Sequence, residues 1–145
     1  MGLKVTGLTE TSYALSNLHE KTNKAGLNEL RQGGEDIAEL AKKRAPVDKG
    51  NLEEAINSDT EDRTGKNGRV VLYVGVDEDK AVARGVVGDY ALQMHEGVYE
   101  LGEKSKAKKN SNGEPVGPKF LESAADELED DISKAIERAI YGVLS

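Results

Sequence analysis

Two histidines and no cysteine set the outer limit on the chemistry open to this chain. Only His95 stands where a titratable pair meets an apolar segment, in Tyr90-Ala91-Leu92-Gln93-Met94-His95-Glu96-Gly97. An imidazole beside a carboxylate can serve as a general base or hold a divalent metal. The helical zinc spacing needs a second His four residues on, and position 99 is Tyr. His19 falls in a segment patterned as a solvent-facing helix. A small metal-dependent hydrolase would have to rest on His95, Glu96 and Asp48. The plainer reading is a capping or interfacial pair.

Other chemistry is thinner still. The chain has no GxxxxGK[ST] or GxGxxG phosphate loop and no GxSxG elbow. Asp77-Glu78-Asp79 lacks the alternating spacing of a calcium loop, and Glu129-Asp130-Asp131 lies on a helix surface. Without cysteine there are no disulfides, thiolate nucleophiles or cysteine metal sites. Lys104, Lys106, Lys108 and Lys109 form a basic run that could meet nucleic acid or an acidic protein. It has no aromatic residues for base stacking, so a solvated loop is the simpler account. No cofactor is expected, and the residues point away from an enzyme.

The bulk numbers agree. A length of 145 residues fits a single domain. With five Tyr, one Phe and no Trp, the core must rest on Leu, Ile, Val and Ala. A net charge of −7 is a poor match to a phosphate backbone but suits a wall that DNA passes without sticking. No stretch approaches the roughly 20 apolar residues of a membrane span. The N-terminus lacks an apolar signal-peptide core, so folding in the cytoplasm where the chain is made is expected.

The elements that would position these residues are legible from pattern. Residues 1–8, with Leu3, Val5 and Leu8, suggest an arm or edge strand. Residues 9–44 read as a helical region: a short amphipathic helix over 10–24, then a stronger pattern over 25–44. In the second, Leu27, Leu30, Gly34, Ile37, Leu40 and Ala41 share one face. Gly33-Gly34 either breaks that helix or lets another backbone approach. Pro46 stops it, Asp48 and Gly50 shape a turn, and Leu52 anchors the first strand. Residues 52–97 read as a sheet region. Asn67-Gly68 is a hairpin signal, and Arg69–Val76 is the clearest strand, apolar on both faces. Residues 98–117 read as a long loop. Gly117-Pro118 opens a helix over 118–142, striped by Phe120, Ala124, Leu128, Ile132, Ile136 and Ile140. The expected fold is α+β: N-terminal helices, a mostly antiparallel sheet of about four strands, and a long C-terminal helix packed on that sheet.

Three stretches in this order carry a resemblance: Ile37 to Leu52, Tyr90 to Gly97, and Gly117 to Ala124. Together they resemble the small tail-component or neck proteins of tailed bacteriophages, typified by gene product ten of a lambda-like siphophage. Lys49, Glu53, Val98 and Lys119 depart from the family's usual residues. The resemblance implies a virion structural protein at the head–tail junction, in a ring of six or twelve copies around the DNA channel. Its partners would be other neck, connector and tail-tube proteins, with no membrane and no sequence-specific DNA binding. Pro46, Asp48, Gly50, Leu52, Pro118, Phe120 and Leu121 would be scaffold residues. Tyr90, Met94, His95, Glu96, Gly97 and the four lysines would form assembly faces. A tail terminator, a portal-proximal adaptor and a cytoplasmic assembly chaperone are rival roles.

Overall fold

A computed structural model describes residues 8–47, 49–63 and 69–145. Leu3, Val5, Asp48 and the Asn67-Gly68 turn lie outside the described residues. The chain runs α1 (Leu8–Arg44), α2 (Asn51–Ala55), β1 (Ile56–Arg63), β2 (Arg69–Val76), α3 (Gly88–Glu96), α4 (Glu103–Asn112) and α5 (Phe120–Leu144).

The two helical patterns before Pro46 are one helix of 37 residues, roughly 55 Å long. Nothing caps a break between them. Thr22, which could have started a new helix, instead donates its hydroxyl back to the Leu18 carbonyl at 2.7 Å. The helix also runs through Gly33-Gly34, and the reason is contact. A Cβ at Gly33 would lie 2.8 Å from two atoms of Ile132, on α5. A Cβ at Gly34 would lie 2.4 Å from Leu72 and 3.2 Å from Ser58, on the two strands. Consecutive helical residues point about 100° apart, so the glycine pair lets α1 meet two partners at once.

Those partners correct the expected architecture. Among the described residues the sheet has two strands, not four: β1 and β2 pair antiparallel from Ile56↔Val76 to Arg63↔Arg69. Beyond β2, Ala81 and Val86 form only an isolated bridge, closed by a bond from Val82 N–H to Gly85 O at 3.1 Å. Gly85 has φ 94°, which suits glycine. Within the stretch expected as sheet, Gly88–Glu96 is a helix. Its Asp89 carboxylate accepts from Val86 N–H at 3.1 Å. The C-terminal helix packs on α1 rather than on the sheet. Gly26 faces Ile136 and Ile140, Gly33 faces Ile132, and Arg44 reaches Ser123, so the two helices run antiparallel.

The core sits where the C-terminal part of α1 meets α2, the base of the hairpin, α3 and the first turns of α5. Ile37, Ala38, Ala41, Ala45, Leu52, Ala55, Ile56, Val87, Ala91, Phe120 and Ala124 form it. Leu40, Leu72, Val74 and Leu128 pack around it half-buried. Phe120, the one phenylalanine, is 1% exposed.

Candidate assembly interface

The stretch 98–117 is not a structureless loop. It contains the ten-residue α4, with Glu103 in its first turn and Gly113 closing it at φ 72°. Lysine and alanine are adequate helix formers, and a left-handed glycine is a common helix stop. α4 has no apolar stripe because it docks through polar atoms. Ser105, Lys108 and Asn112 fall at i, i+3 and i+7, one face of the helix.

That face closes the C-terminal end of α1, where the last carbonyls lack intrahelical partners. Ser105 Oγ accepts from Val47 N–H at 2.9 Å and donates to Val47 O at 3.2 Å. Lys108 Nζ donates to the carbonyls of Lys42 and Ala45, the latter at 2.9 Å, and to Glu53 Oε2 at 2.9 Å. Asn112 Nδ2 donates to Lys43 O at 3.0 Å. A cation there also meets the negative end of the helix dipole. Lys108 therefore faces inward, while Lys104, Lys106 and Lys109 are exposed.

Arg44 completes the same junction from the α1 side. It is 4% exposed. Its Nε donates to Glu114 at 3.0 Å, and its two terminal nitrogens donate to Ser123 Oγ and Glu127. Burial works against its charge, but the bonds to Glu127 and Glu114 outweigh burial and hold its pKa above the ordinary value. Gly117 N–H donates to Arg44 O at 3.0 Å. The basic end of α1 is visible in the sequence. The roles of Arg44, Ser105, Asn112, Glu114 and Glu127 are not, because their partners lie 58 to 83 residues away.

A second joint ties α3 to α5. His95 Nδ1 lies 2.7 Å from Glu96 Oε1, and Lys119 Nζ donates to Glu96 Oε2. Both carboxylate oxygens are thus engaged by side chains of this chain. A carboxylate only accepts, which puts a proton on Nδ1. Nε2 is buried with no hydrogen-bond partner among the described residues. The ring stands edge-on to Phe120 at 4.9 Å. Lys119 N–H donates to His95 O at 2.7 Å, and Lys119 takes φ 61° as the cap of α5. The helix therefore begins just after Pro118, not at it. Lys119 and then His95 lower the Glu96 pKa, while Glu96 and then Glu122 raise that of Lys119.

Between these joints lies an open cleft of about 920 Å³. It brings together Pro46, Gly50, Leu52, Tyr90, Met94 and Lys104 from the residues singled out by sequence. Tyr99, on its far wall, donates to Met94 O at 2.5 Å, and burial raises its pKa. Leu92 (72%) and Val98 (104%) are exposed apolar residues of the same α3 segment. Gly97 is needed there: a Cβ would lie 2.3 Å from Gln93 O. Among the described residues no group of three or more His, Asp or Glu could hold a metal ion. No helix among them is long and apolar enough to cross a membrane.

One family model matches residues 10–91, more than half of the chain: "Bacteriophage HK97-gp10, putative tail-component". The matched stretch contains the Ile37 to Leu52 motif and ends inside the Tyr90 to Gly97 motif. No curated protein and no solved structure matches the chain.

Proposed function

The chain belongs to the HK97-gp10-like family of phage tail components, and from that membership we propose a non-enzymatic structural role at the head–tail junction of the virion. Six or twelve copies form a ring around the DNA channel, between connector and tail-tube proteins. The family match over residues 10–91 carries this reading.

The surface is consistent with it. A closed cyclic ring joins two different faces of each copy, and opposite charge on those faces sets partner and register. This chain offers such a pair. Lys43, Lys106 and Lys109 are exposed around α4, and Asp126, Glu129, Asp130, Asp131 and Glu137 are exposed along α5. Leu92 and Val98 add exposed apolar area on and just after α3.

Removing the gene from its phage and imaging the lysate by negative-stain electron microscopy tests the role. DNA-filled heads beside separate tails are expected. Normal infectious particles would overturn it.

A further inference from the structure

The two strands of the hairpin are unlike. β1, Ile56-Asn57-Ser58-Asp59-Thr60-Glu61-Asp62-Arg63, carries acids at 59, 61 and 62. β2, Arg69-Val70-Val71-Leu72-Tyr73-Val74-Gly75-Val76, has no charge after Arg69, no proline and no bulge in its register. Charge is a usual protection of a sheet edge, and a long apolar strand usually sits inside a sheet. Here each strand has an open edge, because among the described residues the sheet is only β1-β2. β1 is built as an edge strand and β2 is not.

The backbone shows which groups are left over. Asp77 N–H donates to Ala55 O at 2.8 Å, one residue beyond the strands and in their register. In an antiparallel pair, hydrogen-bonded positions alternate. Residues 69, 71, 73 and 75 therefore direct their backbone groups to β1. Val70, Leu72, Val74 and Val76 direct theirs to the open edge.

We propose that this edge pairs with β2 of a second copy of the chain, antiparallel about a two-fold axis, giving the sheet order β1-β2-β2-β1. The full-overlap register supports the choice of partner. It sets Val70 against Val76 and Leu72 against Val74 of the second copy as hydrogen-bonded pairs. It sets Val71 against Gly75, and Tyr73 against its own copy. At both ends Arg69 stands opposite Asp77, an opposite-charge pair of the kind that stabilises a sheet. Pairing β1 with β1 would set acids against acids, and pairing β2 with β1 would turn the acidic strand into an interior one. The contact is isologous and closes at two chains, so it is not the ring contact. It covers β2 while the chain is outside a particle, and it does not depend on the ring reading.

Sedimentation of the full chain is expected to give a dimer at about 100 µM. Val70→Pro removes one outward N–H and should weaken the dimer more than about tenfold. Because Pro could also disturb the hairpin, a second variant fixes the geometry. The chain has no cysteine, so Tyr73→Cys introduces a single thiol. Directly opposed non-hydrogen-bonded positions lie close enough for a disulfide. Mild oxidation should link Tyr73→Cys into a covalent dimer. A monomer at that concentration, or a dimer that Tyr73→Cys does not cross-link, overturns the proposal.

Discussion

The joint at Glu96 shows how single charges hold this chain together. Lys119, which reaches it across 23 residues, binds one carboxylate oxygen, and His95 binds the other. These partners hold the Glu96 pKa below the ordinary 4.5. A carboxyl with a lower pKa in the folded than in the unfolded chain stabilises above the unfolded value, and loses that effect as pH falls through the folded value. Lys119 is the mirror case. Its pKa is raised above 10.5, so its contribution is full below that value and is lost as pH rises through the folded one. Glu96→Gln should therefore lower the melting temperature at neutral pH, and the gap to wild type should close as pH drops below 4.5. Thermal melts followed by circular dichroism across that range give the answer. A gap that stays constant down to about pH 3 would mean that Glu96 acts through packing instead.

Among the elements, α1 is the wall on which both partners lean, and its glycines predict opposite signs. Replacing Gly by Ala in a helix gains about 1 kcal/mol of propensity where space allows. Gly26 has that space, its nearest neighbour being Ile140 at 3.6 Å. Gly33 and Gly34 do not, and overpacking costs about 1–3 kcal/mol. Urea melts should show Gly26→Ala stabilised, and Gly33→Ala and Gly34→Ala destabilised by up to about 2 kcal/mol. The docking of α4 gives a sharper contrast. Lys108→Met strips a donor from two carbonyls and from Glu53, at a cost of about 1–3 kcal/mol. Lys106→Ala, on the exposed face, should stay within about 0.5 kcal/mol. The same contrast explains what the sequence conceals. α5 is legible because it binds through an apolar stripe at four-residue steps, and β2 because its run is β-branched and apolar. α4 binds through Ser105, Lys108 and Asn112, which carry no hydrophobic period, so its sequence reads as a charged loop. The strand count fails for a related reason. β2 has the composition of an interior strand, but among the described residues only β1 pairs with it.

At the scale of the whole molecule, α1 outruns α5. Gly26 already faces Ile140, so about the first 14 residues of α1 extend roughly 20 Å past the other helix. Tyr13 and Leu15 on that extension and Tyr141 and Leu144 beside it are all more than half exposed. Charge is just as unevenly spread, with lysines around α4 and acids along α5. Which of the two governs an encounter with DNA depends on the sum. Affinity for a duplex comes from clustered cations displacing counterions, and it falls steeply with salt. The chain carries 27 acidic against 20 basic residues. Several of those basic residues are already committed inside it: Arg44 to two glutamates, Lys108 to Glu53, Lys119 to Glu96, and Lys80 to Glu54. The net repulsion should therefore prevail. In fluorescence anisotropy at about 150 mM salt, a labelled duplex should show no binding tighter than about 100 µM. Binding in the micromolar range, abolished by Lys106→Glu and Lys109→Glu, would make the exposed face of α4 a grip on DNA. The chain would then hold a duplex rather than let it slide past.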